Sequence, residues 1–135
     1  MSWRGAARII LALFYAAAGR VHLLLPAPFV KIAPGWVPMP ALVILLTGIA
    51  ELVGAAGLLQ GSAPALRRAA GWGLAAYALC VWPANFHHMA LDMARADHGA
   101  GLAYHLPRLA AQPLLIWLAL WASGATDWPF RKIRR

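Results

Sequence analysis

The chain is 135 residues long, and 62% of its residues are hydrophobic while 12% are charged. In ordinary soluble domains roughly half of the residues are apolar and about a quarter are charged. A soluble domain of this length could not bury so much apolar surface, so the composition excludes an ordinary soluble fold and predicts contact with lipid. The length fits a single membrane domain over residues 1–135.

The formal net charge of +8 raises nucleic-acid binding as an alternative, since basic patches neutralise phosphates. The Lys and Arg residues stand at the ends of apolar blocks and form no basic stripe with exposed aromatic residues. This arrangement argues against nucleic acid and for a lipid bilayer as the partner. Cys80 is the only cysteine, which excludes an intramolecular disulfide and a C-x-x-C metal pair, and no metal site is predicted.

The first apolar block predicts a transmembrane helix over residues 6–25. A cleaved signal peptide is the alternative, because Arg4 and Arg8 precede the apolar core, but a block of about 20 residues can itself span the bilayer. A proline-rich loop follows and is expected to lie at the headgroup level. The second block predicts a helix over residues 41–60, whose length of about 20 residues matches a bilayer core of roughly 30 Å.

The third predicted helix covers residues 69–91 and contains Pro83, and the fourth covers residues 106–124. Pro107 is expected in the first turn of the fourth helix, whereas Pro113 is expected to bend that helix further along. Together the four blocks predict an all-α fold, a bundle of four transmembrane helices.

The Lys and Arg residues of the short connections predict the orientation of this bundle. Eight of them lie in the N-terminus, the second connection and the tail, and four lie on the other side. The count predicts that both termini are cytoplasmic, in the plasma (inner) membrane of a bacterium. The eight are Arg4, Arg8, Arg67, Arg68, Arg131, Lys132, Arg134 and Arg135, and the four are Arg20, Lys31, Arg95 and Arg108.

Polar side chains inside a bilayer are costly, so each one is a candidate for a site. Glu51 lies near the midplane of the second predicted helix, on a face of small residues that points into the bundle. Its carboxyl is either functional or a hydrogen-bonded element of helix packing. The topology gathers further polar groups in the outer half of the membrane, around a pocket that opens outward. The candidate ligand-binding residues are His22, Glu51, Asn85, His88, Arg108 and Gln112.

Several motifs accompany these residues along nearly the whole chain. They are Gly19-Arg20-Val21-His22, Pro34-Gly35-Trp36-Val37-Pro38, Gly48-x-x-Glu51-x-x-Gly54-x-x-Gly57, Pro83-Ala84-Asn85 and Leu106-Pro107-Arg108. Together they resemble the DoxX family of small integral membrane proteins. The resemblance implies a four-helix membrane protein linked to quinone-coupled sulfur oxidation or to membrane oxidoreductase complexes. It marks His22, Glu51, Asn85 and Arg108 as family-typical, while Leu23 and Trp82 depart from the family pattern.

Two functions follow from these observations as alternatives. The first is a redox-associated membrane subunit whose pocket holds a quinone or another small hydrophobic ligand, with Glu51 relaying protons. The second is a non-catalytic scaffold that docks an oxidoreductase or sulfurtransferase partner through the small residues of Ala50-x-x-x-Gly54 and Gly57-x-x-x-Gly61.

Two further alternatives have weaker support in the sequence. One is a haem b held by His22 and His88. The other is a transporter, for which four spans would need a homo-oligomer to form a path. The identity of the ligand, and whether the protein is an enzyme, do not follow from the sequence.

Overall fold

The computed structural model describes residues 2–130, and these fold into five helices with no strand among them. The helices are α1 (Trp3–Leu24), α2 (Ala27–Lys31), α3 (Pro40–Leu59), α4 (Pro64–Met93) and α5 (Leu102–Ser123). The predicted all-α class is confirmed. The short helix α2, in the proline-rich loop, was not predicted.

The helix ends explain where the observed bounds differ from the predicted ones. Helix α4 begins at Pro64, five residues before the predicted start. The reason is that proline is favoured in the first turn of a helix. Helix α5 follows Gly101, whose φ of 76° suits glycine, and begins at Leu102. Pro107 therefore lies inside α5, and its predicted place in the first turn was wrong.

The four long helices form a ring in which α1 contacts α3 and α5, and α4 contacts the same two helices. Ser2, the turn between α3 and α4, and residues 124–130 lie at one end, here called the termini end. There Arg4 Nη2 lies 2.6 Å from Asp127 Oδ1, and Arg67 donates to the Ser123 carbonyl at 3.3 Å. The opposite end, the loop end, carries α2 with residues 32–39 and the turn 94–101.

Both ends of the described chain thus lie together. The side of a membrane that they face stays a prediction. The basic residues predicted for the tail, Arg131, Lys132, Arg134 and Arg135, lie outside the described residues.

Small residues bring neighbouring helices into close contact. A Cβ at Gly54 would overlap the Leu74 side chain, and one at Gly57 would lie 2.6 Å from Ala70 Cβ, so α3 and α4 meet in the half of the bundle near the termini end. Helices α1 and α3 also pack closely, because a Cβ at Gly19 would lie 2.7 Å from the Gly48 carbonyl oxygen. Close backbone approach of this kind is typical of helices that pack in lipid.

Two helices, α1 and α3, are long and apolar enough to cross a membrane, with mean hydropathy of 1.5 and 2.2. Helices α4 and α5 do not meet the same criterion. Large apolar side chains are nevertheless exposed on all four long helices, for example Leu13 in α1, Val53 in α3, Trp72 in α4 and Leu114 in α5.

Candidate ligand cavity

A cavity of about 730 Å³ lies between the α1–α3 pair and the α4–α5 pair, in the half of the bundle near the loop end. Phe29 of α2 and Trp36 of the proline-rich loop help to close it at that end. Most of its wall is apolar. Five of the six predicted ligand-binding residues line it: His22, Glu51, Asn85, Arg108 and Gln112. The structure thus gathers these five around one space, and their role in binding stays a prediction.

Glu51 is 3% exposed and points into the bundle, as its position among small residues predicted. Its Oε2 lies 2.5 Å from Nδ1 of His22, and its Oε1 accepts a hydrogen bond of 2.8 Å from the Tyr77 hydroxyl. His22 is packed in turn against Phe29, with ring centroids 4.2 Å apart. Both carboxyl oxygens are therefore held, and a hydrogen bond joins the carboxyl to the imidazole at the wall of the cavity.

Two tyrosines that the sequence analysis did not select belong to the same wall. Tyr77 holds Glu51, and Tyr15 packs edge-on against Tyr77 with ring centroids 6.2 Å apart. The Tyr15 hydroxyl and the Gln112 Oε1 atom are buried and have no hydrogen-bond partner among residues 2–130. Both atoms are enclosed by the surrounding side chains, so neither is open to a ligand in the cavity.

His88, the sixth predicted residue, is not among the residues that line the cavity. Its Nδ1 lies 2.9 Å from Nη1 of Arg108. An arginine can only donate, so His88 accepts this bond and holds the guanidinium at the cavity wall. The Tyr104 ring supports the same guanidinium from 5.6 Å. The structure does not bring His88 to the space that His22 faces, so it does not assemble the histidine pair that a haem b would need.

Behind Arg108 lies a second polar cluster, of which the sequence analysis selected His88 alone as a candidate. His105 is 1% exposed, and its Nε2 lies 2.9 Å from Oδ2 of Asp92. The same Oδ2 lies 3.7 Å from Nε2 of His88. His105 lies one residue before the predicted fourth helix, residues 106–124, so nothing in the sequence indicated that it faces the bundle. The His88-x-x-x-Asp92 spacing places the other two residues on one helix face.

The ligand atoms of His88, Asp92 and His105 lie within 4.8 Å of one another. Imidazole nitrogens and a carboxylate oxygen are ligands for Zn²⁺ and related ions, so these three residues could hold a metal.

A family model described as a domain of unknown function, DUF8561, matches residues 11–123. No curated protein and no solved structure matches the chain. The description of the family does not mention DoxX proteins, so the resemblance to them stays a prediction.

Proposed function

Since the chain belongs to the DUF8561 family, whose description assigns no activity, we propose a function from its own side chains. It is an integral membrane protein of four spans that binds a quinone, or another small apolar ligand with polar oxygens, in the cavity beside Glu51. In this role it serves as the redox-associated subunit that its DoxX-like motifs imply.

The outer surface supports four spans. Soluble proteins rarely expose a continuous apolar surface of more than a few hundred square ångströms, whereas here large apolar side chains face outward on every long helix. Polar groups such as Glu51 and Asn85 face inward. The hydropathy of α4 and α5 is lowered by inward polar residues such as Asn85 and Gln112 and by Trp, Tyr and Pro, which are common in membrane helices and at membrane interfaces.

The sequence supports cytoplasmic termini. The described residues place four basic residues at each end, and the excess at the termini end comes from Arg131, Lys132, Arg134 and Arg135, which lie outside the described residues. The positive-inside rule assigns the end with the excess to the cytoplasm. Reporter fusions to the N-terminus and the C-terminus in a bacterial host test this. Both reporters should be active on the cytoplasmic side, and two reporters on opposite sides of the membrane would overturn the four-span arrangement.

The chemistry of the cavity supports the ligand class. Its volume lies within the range of roughly 300–1,000 Å³ usual for small-molecule sites. Arg108 offers a donor to a quinone carbonyl, and the side-chain amide of Asn85 offers a donor and an acceptor. The hydrogen-bonded pair of His22 and Glu51 stands beside them. This combination of an apolar space with polar groups at its wall is the observation that carries the proposal.

The packing of α3 and α4 supports entry of the ligand from the side. The two helices touch through Gly54 and Gly57 near the termini end, and the cavity lies between them towards the loop end. Cys80 of α4 lines the cavity and is exposed. A lipid-soluble ligand can therefore enter sideways between these helices.

Titration of a short-chain ubiquinone analogue into the purified protein in lipid nanodiscs tests this function. We expect saturable binding that Ala111→Phe, which fills the cavity, weakens at least tenfold, about 1.4 kcal/mol. Glu51→Gln should weaken it as well, because an amide has only one acceptor oxygen and so changes the contacts that fix His22 and Tyr77 at the cavity wall. Ile49→Ala, on the exposed face of the same helix, is the control and should bind like the wild type.

Unchanged binding in both Ala111→Phe and Glu51→Gln would overturn the proposal. The scaffold alternative would then gain support if a stoichiometric oxidoreductase copurified in mild detergent. The small-residue surface available to a docking partner is smaller than the sequence suggested, because Gly54 and Gly57 pack against α4.

A further inference from the structure

We propose that His88, Asp92 and His105 bind one divalent transition-metal ion with the coordination chemistry of Zn²⁺, at the loop end and outside the ligand cavity. His88 and Asp92 come from the last turns of α4, and His105 comes from the first turn of α5. Their ligand atoms lie within 4.8 Å of one another. Two imidazoles and one carboxylate leave a fourth position of a tetrahedral site open to water or substrate.

The carboxylate is held in place before any ion arrives. The Ala100 N–H donates to Asp92 Oδ2 at 2.9 Å. Gly99 has a φ of 53°, and a Cβ there would overlap the Asp92 carboxyl group, so the turn between α4 and α5 wraps closely around this side chain. Fixed outer partners of this kind orient the ligands of metal sites and raise their affinity.

The imidazole of His105 is fixed by burial. It is 1% exposed and lies edge-on to the rings of His88 and Tyr104, with centroids 4.9 Å away in both cases. Its Nε2 lies 2.9 Å from Asp92 Oδ2 and is the nitrogen that faces the cluster. An ion at Nε2 would leave the ring proton on Nδ1, which is buried and has no hydrogen-bond partner among residues 2–130.

The hydrogen bond from Arg108 to His88 competes with the binding of an ion by His88. A neutral imidazole has one lone pair for sharing, and Arg108 now occupies the lone pair on Nδ1, so Nε2 carries the proton. An ion at Nε2 moves that proton to Nδ1. Two donors would then face each other, and the guanidinium must leave His88. Because Arg108 also lines the ligand cavity, the ion frees this side chain for the cavity.

Isothermal titration of Zn²⁺ into the metal-depleted full chain, freed of its affinity tag, tests the site. We expect one ion per chain, and binding at least tenfold weaker in His88→Ala and in Asp92→Asn, which keep the buried His105 intact. Arg108→Gln removes the competing donor and should bind Zn²⁺ more tightly than the wild type, by about tenfold. Titration with Co²⁺ should give the visible spectrum of a tetrahedral site.

Three control variants separate this site from surface chelation and from the ligand cavity. His87→Ala and His98→Ala remove neighbouring histidines outside the cluster and should leave Zn²⁺ affinity unchanged, as should His22→Ala in the cavity. No binding by the wild type and Arg108→Gln, or an equal loss in His98→Ala and Asp92→Asn, would overturn the site. An Arg108→Gln variant that binds no more tightly than the wild type would overturn the displacement of Arg108.

Discussion

The two halves of the bundle are built differently. Towards the termini end, small residues bring the helices together, as where Gly71 of α4 lies against Ser123 and Ala119 of α5. Towards the loop end, α3 and α4 separate around a cavity of about 730 Å³, and the buried groups there include Glu51 and His105.

The difference shows how a short chain obtains both a stable core and a site. The close contacts of Gly54, Gly57 and Gly71, which join α4 to α3 and α5, lie towards the termini end. The contact of Gly19 with Gly48 lies in the other half of the bundle and joins α1 to α3. Glycine permits a close approach that stabilises helix pairs in lipid. Close packing of α4 at one end therefore supports the cavity beside α4 at the other.

The largest effect is expected where the close packing is broken. In Gly71→Ala, the new Cβ would overlap the Ser123 side chain and lie 2.8 Å from the Ala119 carbonyl oxygen, which cannot move without shifting α5. Overpacking of this kind costs about 1–3 kcal/mol. Thermal unfolding in detergent, followed by circular dichroism, measures the loss. Gly73→Ala, where a Cβ meets nothing within 4 Å, is the control and should not lower the melting temperature.

Hydrogen bonding at the cavity wall should show the next effect. Tyr77→Phe leaves Glu51 Oε1 without its donor, and the loss of a bond to a buried acceptor costs about 1–3 kcal/mol. Tyr15→Phe removes a buried hydroxyl that has no partner among the described residues and should cost nothing or stabilise slightly. Unfolding by titration with sodium dodecyl sulfate compares the two. Equal destabilisation by both substitutions would show that the hydrogen bond to Glu51 has no special value.

A smaller effect is expected for the carbonyl groups at the termini end. Arg67 donates to the backbone carbonyl of Ser123 at 3.3 Å and to that of Gln60 at 3.4 Å, which are the ends of α5 and α3. These bonds are long, so Arg67→Gln should cost about 0.5–1 kcal/mol. The exposed neighbour Arg68 provides the control. If Arg68→Gln lowers the melting temperature as much as Arg67→Gln does, the effect comes from net charge and not from the carbonyl contacts.

The smallest effect is expected in the exposed turn at the loop end. Arg95 forms two hydrogen bonds of 2.9 Å with Asp97 and, with the Gly99 N–H, holds the pKa of Asp97 below its ordinary value. A pKa that is lowered in the folded state stabilises that state at pH values above the ordinary aspartate pKa. This contribution is lost as the pH falls through the lowered pKa. Asp97→Asn should therefore lower the melting temperature slightly near pH 7. The difference between the wild type and the variant should shrink as the pH falls below about 3.9, the ordinary aspartate pKa, because the stabilisation is then progressively lost.

A site residue could be predicted from the sequence only where its residue type is unusual for an apolar helix. Glu51 is a charge among apolar residues, so its inward orientation was predicted from the cost of facing lipid, and the structure confirms it. His22, Asn85, Arg108 and Gln112 were expected in the same half of the bundle, and all four line the cavity. Tyr77 and Tyr15 were not selected, because an aromatic residue in an apolar helix gives no sign of which partner its hydroxyl meets.

The sequence by itself determined the all-α class and the inward position of Glu51, because the cost of exposing polar groups to lipid follows from residue type and helical spacing alone. It could not determine which side chains meet across helices. The tertiary structure decided that Tyr77 donates to Glu51, that Arg108 donates to His88, and that His105 forms a hydrogen bond with Asp92. These contacts depend on the relative rotation and separation of neighbouring helices, which close glycine contacts fix and which no single helix encodes.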